Sequence, residues 1–198
     1  LKHYVGYGAS EGGRDYVYTE VSPQNLWEMH LPPFAAGIRA GARSVMSGFN
    51  DLNGIPTSAN PYILTEILRH HWGLTGPVVS DWAAVAQLVN QGFAADGVEA
   101  AAKALTAGVD IDMASGLYHD HLAALVAAGR VPLSALNEAV RRVLRLKFEL
   151  GLFERPYAEP NPLTAAAPSP SQFPLLEELA ARSLVLLKND GVLPLAAV

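Results

Sequence analysis

The sequence predicts an α/β protein in which parallel strands are joined by helical crossovers, and three observations carry that prediction. Short β-branched apolar runs alternate with amphipathic helical stretches from residue 1 to about residue 155. Each strand-like run is apolar on both sides, the pattern of strands covered on both faces. Polar residues then gather at the strand C-terminal ends, in 47–50, 80–82 and 110–115. A (β/α)8 barrel and an open doubly wound sheet both build their sites there, and periodicity leaves both architectures open. Three or four such units make about half of a barrel, judged against the ~250 residues typical of a complete one.

The strand-like runs are ARSVMSGF (42–49), GPVVSD (76–81) and AGVDIDM (107–113). Helical spacing falls near 23–40, 60–72, 97–107, 118–128 and 132–151. In NPYILTEILRHHWG, Asn60 is placed to cap the helix, Pro61 suits its first position and Gly73 its stop. Leu64, Ile67, Leu68 and His71 fall on one predicted face there, and Leu136, Val140, Val143 and Leu144 on another farther on. Residues 156–174 hold six of the 14 prolines and show no period, which predicts a linker. After it, LLEELAARS reads as a helix and LVLLKNDGVLPL as a strand that turns at Asn189, Asp190 and Gly191. The predicted domains are therefore 1–155, the linker 156–174, and the opening of a second domain at 175–198.

Composition narrows the classes. Of 198 residues, 50% are hydrophobic and 17% charged, so the chain is globular material and not a disordered tail. A net charge of −5 without a concentrated basic face argues against nucleic acid. Arg141, Arg142, Arg145 and Lys147 read as a solvated face near a helix end. The absence of cysteine excludes disulfides, thiolate catalysis and zinc–thiolate sites. No apolar run is long enough to span a bilayer, and no membrane partner is expected. The chain begins at Leu1 in mid-pattern, without methionine, and reads as a fragment or processed piece. Its compartment stays open, with periplasmic or secreted placement favoured over cytoplasmic, and its oligomeric state is open as well.

The candidate chemistry starts in GPVVSDW. A carboxylate at the mouth of an apolar strand, beside an aromatic wall, suits three roles for Asp81: nucleophile or general base, metal ligand, or cap of the following helix. Trp82 suits a core position or a flat platform for a sugar. In LKHYVGYG, Lys2 and His3 are neighbouring donors suited to a polyhydroxylated or anionic ligand, or else an ordinary polar strand end. Asp110 and Asp112 share a strand face, where paired carboxylates can hold a cation or, more simply, make structural hydrogen bonds. His119 and His121 have metal-pair spacing but read as a solvated helix start. His70 and His71 are adjacent on a helix and cannot both face one ligand. EGGRDY lacks the strand-then-helix context of a phosphate loop, and FNDLNG reads as a loop tip at Asn53-Gly54. Neither a G-x-S-x-G elbow nor H-E-x-x-H occurs.

In order, KHYVGYG, HLPPF, VMSGFNDLNGIPTSAN, LRHHWGLTGPVVSDW, AGVDIDM and ARSLVLLKNDGVLPL resemble family 3 glycoside hydrolases, and within them bacterial β-glucosidases. The resemblance covers essentially the whole chain. It implies the C-terminal half of a (β/α)8 TIM-like barrel, then the linker and the start of an α/β sandwich domain. It implies a retaining, exo-acting β-glucosidase acting on β-glucosides or short β-linked oligosaccharides, without cofactor or metal. Asp81 matches the nucleophile of the family's S-D-W motif; a retaining glycosidase needs such a carboxylate to trap an oxocarbenium-like transition state. Lys2 and His3 match the K-H pair that binds sugar hydroxyls, Met46 lines the pocket, and Trp82 offers an apolar face to the sugar.

Two departures stand out. Gly48-Phe49-Asn50 replaces the S-Y-N of many relatives, which removes a tyrosine hydroxyl near the nucleophile. Val5 and Tyr7 replace the Pro and second His of the N-acetylglucosaminidase branch's K-H-F-P-G-H-G, which argues against that branch. No glutamate stands in an acid/base motif; Glu11, Glu20 and Glu99 read as loop or helix-face residues, and the acid/base is expected beyond Val198. The isolated chain is therefore expected to turn over little or nothing. The rival readings are a β-xylosidase or mixed-specificity glycosidase, a non-catalytic sugar-binding half-barrel, and a metal-dependent enzyme using Asp110 and Asp112.

Overall fold

The computed structural model describes residues 1–157 and 170–196. The chain divides into two compact units, Leu1–Pro156 and Tyr157–Val198. Most of the predicted linker lies outside the described residues.

The first unit is organised around parallel strand segments. Strand β2 (Val45–Met46) pairs in parallel with β5 (Val78–Val79), with Val45 opposite Val78 and Met46 opposite Val79. Parallel bridges extend this ladder on both sides, from Tyr4 to Ser47 and from Val79 to Ile111. Four segments far apart in sequence thus lie side by side. Short β1 (Tyr18–Thr19) pairs in parallel with β3 (Asp51–Leu52), which turns back into β4 (Ile55–Pro56). The turn is Asn53-Gly54, with φ of 52° and 87°, the left-handed pair that a two-residue hairpin requires. Asn53 is more than a loop tip, because its side-chain amide exchanges two hydrogen bonds with the Val21 backbone.

Helices fill the intervals. Helix α1 (Pro23–Asn25) starts at the Ser22 cap and runs through a π-helical segment, Leu26–His30, towards α2 (Pro32–Arg39). A second π-helical segment spans Tyr62–His71, capped by the Asn60 carboxamide oxygen, which accepts from Tyr62 and Ile63. Its buried face is Ile63, Leu64, Ile67 and Leu68. His71 lies outside this face, on the exposed side, with its ring against Trp27. The wider winding moves a residue predicted at α-helical spacing off the core stripe.

Helices α3 (Ala84–Asn90), α4 (Gly97–Ala107), α5 (Leu117–Ala127) and α6 (Leu133–Glu149) follow. The pattern did not reveal α3, whose seven residues are too few for a clear period. Helix α4 has complete end signals. Asp96 accepts from the Glu99 N–H, Glu99 accepts from Ala95 N–H, and Gly108 closes the helix at φ 118°.

The core lies on one side of the ladder. Tyr4, Val45, Val78 and Val109 are fully buried, and the Tyr4 hydroxyl donates to the Ile63 carbonyl. Met46 and Val79 are only half-buried, and Ile111 is exposed. The expectation that both faces of each strand are covered is therefore met only in part within these residues, where the second face is the less buried one.

The ladder is fixed by a buried ion network. Asp110 Oδ2 accepts from the Val78 N–H at 2.7 Å and from Arg69 Nη2 at 2.6 Å, while Oδ1 accepts from Arg142 Nη1 at 2.8 Å. Burial pushes the Asp110 carboxyl up, and the Arg69 charge, the Val78 N–H and Arg142 pull it back. Arg69 also donates to the carbonyls of Leu74, Gly76 and Gly108. One carboxylate thus joins the π-helical segment, β5, the segment before Ile111 and α6.

In the second unit, α7 (Phe173–Ser183) forms as LLEELAARS predicts but begins earlier, with Pro174 in its first turn. The predicted strand does not form among residues 184–196, since no neighbouring strand offers it a ladder. The turn is present, with Asn189 Oδ1 accepting from the Gly191 and Leu193 N–H groups.

Two substitutions test this packing. A Cβ at Gly76 would lie 1.7 Å from the Arg43 carbonyl oxygen, so Gly76→Ala is expected to cost about 3 kcal/mol in urea unfolding. Asp110→Asn leaves the buried Arg69 guanidinium without its counter-charge and is expected to cost about 3–5 kcal/mol in the same measurement.

Candidate active site

Beyond β5 the backbone stays pinned. Ser80 N–H donates to the Ile111 carbonyl, and Ser80 Oγ accepts from the Met113 N–H. Asp81 is therefore carried on a fixed strand end, with 8% of its surface exposed. Its Oδ1 accepts from the Trp82 N–H at 2.7 Å, while Oδ2 is buried and has no hydrogen-bond partner. His3 Nε2 lies 3.3 Å from that oxygen but is not aligned as a hydrogen bond. The capping role considered for Asp81 does not hold. Helix α3 starts after Ala83 with no side-chain cap, and the Asp81 carboxylate accepts a hydrogen bond only from the Trp82 N–H.

The other predicted residues distribute unevenly around this carboxylate. His3 reaches it, whereas Lys2 has an exposed side chain and forms no ion pair with it within 4.0 Å. Met46 lies opposite Val79 in the ladder, two residues before Asp81. Trp82 is 66% exposed, an open indole face at the rim and not a core residue.

Asp110 and Asp112 do not converge. Asp110 is held in the ion network, while Asp112 accepts from the Ser115 hydroxyl and from the Tyr118 N–H at the start of α5. Among the described residues, no group of three or more His, Asp or Glu side chains is placed to hold a metal ion. His119 is solvent-exposed and pairs with Asp120, as a solvated helix start does. His70 pairs with Glu66, and Glu99 is occupied by the Ala95 N–H and Lys103. No helix among the described residues is long and apolar enough to cross a membrane.

A cluster on the 7–16 loop escaped the sequence reading. The Tyr7 hydroxyl donates to Asp15 Oδ1, and the Tyr7 ring meets His3 edge-on at 5.3 Å. Phe49 lies between Tyr7 and Tyr16, with ring centroids at 5.9 and 4.6 Å. The Tyr16 hydroxyl donates to the Trp82 carbonyl at 3.2 Å. Tyr7 is pushed up to about 12, first by its bond to Asp15, then by burial and by the Asp15 and Asp81 charges. Tyr16 is raised by burial first and then by Asp81 and Asp15. EGGRDY carried no signal for this, since the partners of Asp15 and Tyr16 come from other segments.

A buried carboxylate oxygen that accepts no hydrogen bond thus sits at a strand end beside an imidazole and an open indole. Residues 1–146 match the glycosyl hydrolase family 3 N terminal domain. The chain is 40% identical to the periplasmic beta-glucosidase of Salmonella typhimurium over 96% of its own length and 25% of the relative's. It is 36% identical to a putative beta-xylosidase of Formosa agariphila, covering 98% of this chain and 26% of that one. Among solved structures, the beta-glucosidase from Listeria innocua in complex with glucose superposes with a TM-score of 0.84. Identity there is 36%, over 98% of this chain and 27% of the other. The chain belongs to glycosyl hydrolase family 3, and it spans about a quarter of the length of these relatives.

The Tyr7–Asp15 pair is testable directly. With ring-labelled tyrosine followed by NMR, Tyr7 is expected to stay protonated at about pH 10.5, where an ordinary tyrosine of pKa ≈ 10 is mostly ionised. Asp15→Asn is expected to return Tyr7 towards the ordinary value.

Proposed function

We propose that this chain is the nucleophile-bearing part of a retaining, exo-acting β-glucosidase that removes terminal β-D-glucosyl residues. The observation that carries the reading is Asp81 Oδ2, a buried carboxylate oxygen that accepts no hydrogen bond, held at a fixed strand end beside His3. A nucleophile needs a lone pair unencumbered by hydrogen bonds and a fixed approach distance, and the Ser80 contacts supply the second. In the reaction, Asp81 attacks the anomeric carbon as the glycosidic bond breaks, and an acid protonates the departing oxygen. Water, deprotonated by the same group, then releases the sugar from the aspartyl ester.

His3 holds a sugar hydroxyl beside the nucleophile, Lys2 reaches another from the rim, Met46 lines the floor, and Trp82 packs on the C–H face. We expect the acid/base carboxyl, needed about 5–5.5 Å from Asp81, to lie beyond Val198, and the isolated chain to be nearly inactive. We assign residues 1–155 to the second half of a (β/α)8 barrel, 156–174 to a linker and 175–198 to the opening of a sandwich domain. The parallel ladder with helices between its segments supports the first of these. The name of the Salmonella relative supports a periplasmic or secreted location. A second reading, β-xylosidase, is favoured by the Formosa relative, and the ratio of kcat/KM on aryl β-glucoside and β-xyloside separates the two.

The reading is tested by incubating the intact protein with a 2-deoxy-2-fluoro-β-glucoside and mapping the adduct by mass spectrometry. Labelling of Asp81 is expected, together with a loss in kcat for Asp81→Asn on the order of 10³-fold or more. Sugar binding without any adduct would instead identify a non-catalytic sugar-binding module.

A further inference from the structure

The His3 imidazole stands close to Asp81 without engaging it. Its Nε2 lies 3.3 Å from Asp81 Oδ2, and no hydrogen bond forms between them. An imidazole turned into line with that oxygen would form a charge-assisted bond, occupying the carboxylate oxygen and its own donor together. The ring set against it belongs to Tyr7, which meets the imidazole edge-on at 5.3 Å with the two planes 69° apart.

The main chain on both sides of this contact is fixed. The Tyr4 N–H donates to the Met46 carbonyl and the Gly48 N–H to the Tyr4 carbonyl, which locks the segment carrying His3 to β2. The Tyr7 carbonyl accepts from the Ser10 hydroxyl at 2.8 Å, and Ser10 Oγ lies 3.4 Å from Thr19 Oγ1. Asn50, fully buried, donates through Nδ2 both to Thr19 Oγ1 and to the Val5 carbonyl. One carboxamide thus ties the segment of His3 to the loop of Tyr7. With the backbone set, the freedom left is side-chain rotation. For Tyr7 it is stopped at the far end of the ring, where the hydroxyl donates to Asp15 Oδ1. That bond is the first cause of the rise of the Tyr7 hydroxyl to about 12, so it remains a donor at neutral pH and well above it.

We propose that Tyr7 and Asp15 are positioning residues for His3. Asp15 holds the Tyr7 ring in place, and the ring keeps the imidazole out of line with Asp81 Oδ2. The carboxylate oxygen is thereby kept for the anomeric carbon, and the imidazole N–H for a hydroxyl of the terminal sugar. This inference rests on the reading of Asp81 as the nucleophile.

The test measures the second-order rate at which the intact protein is trapped by an activated 2-deoxy-2-fluoro-β-glucoside. Asp15→Ala removes the acceptor from an exposed position and is expected to slow trapping about fivefold, the effect of one ordinary hydrogen bond. Tyr7→Phe keeps the ring and loses the same bond, so it should slow trapping equally, and the two together no further. Asp15→Asn keeps an oxygen that accepts from the Tyr7 hydroxyl and should trap at the wild-type rate. In a His3→Ala background, Asp15→Ala should have no effect. A crystal structure of Tyr7→Leu should show Nε2 in line with Oδ2 at about 2.7–2.9 Å. The Asp15 series stands on its own if Tyr7→Leu does not fold. Unchanged trapping in Asp15→Ala, an equal loss in Asp15→Asn, or a loss that persists without His3 would overturn the proposal, as would an imidazole that stays in place without the Tyr7 ring. A wild-type protein that traps no adduct at Asp81 overturns the nucleophile reading, and this one with it. Wild-type trapping at Asp81 combined with any of the other contrary results overturns this one alone.

Discussion

The rest of the first unit depends on the Asp110 carboxylate being shared among Arg69, Arg142 and the Val78 N–H. Ions this well buried lose several kcal/mol each in hydration, about 3–5 kcal/mol of net cost appearing if one partner is removed. What offsets that here is geometry. Both carboxylate oxygens are occupied, and the Arg69 Nη1 and Nη2 groups also donate to three backbone carbonyls in the turn before β5 and the turn after α4. The network fixes the entry of β5, and Asp81 lies three residues farther along the same chain. Hydrophobic burial of Val45, Val78 and Val109 makes the ladder stable, but it is non-directional and does not set which strand residue faces the site.

The contrast between the two buried aspartates is informative. Asp110 is surrounded by donors and is chemically quiet. Asp81 is almost as buried, yet one of its oxygens accepts no hydrogen bond and has only the His3 imidazole near it, an arrangement that costs stability unless a ligand or a reaction uses it. Nearby strain follows the same logic, since left-handed Tyr16 and Ala83 both sit within one hydrogen bond of the turn that follows Asp81. Stability is concentrated at the beginning of β5 and given up at its end.

The rim around Asp81 is built from segments that have no sequence proximity: 3–16, Phe49, Trp82 and Gln91. Each contributes a single ring or polar group. Substitution in such a rim leaves the network beneath it in place, and the relatives are named both as beta-glucosidases and as beta-xylosidases.

Much of this was legible in one dimension. Local signals sufficed for the caps at Asn60, the strand runs around Val45 and Val78, the helix after Asp96 and the motif order that marks the family, because each depends on residues a few positions apart. Asp81 stood out for the same reason, as a charge at the end of an apolar run. Three things were decided only by tertiary structure. Asp110 became structural because Arg69 and Arg142 arrive from 41 and 32 positions away. Tyr7, Asp15 and Tyr16 joined the site through partners contributed by other segments, and the described run after Ser183 stayed out of any ladder because a strand needs a neighbour that its own sequence does not encode. Periodicity records what one segment buries, whereas the partner of a buried charge or an unpaired backbone edge is a property of the packed whole.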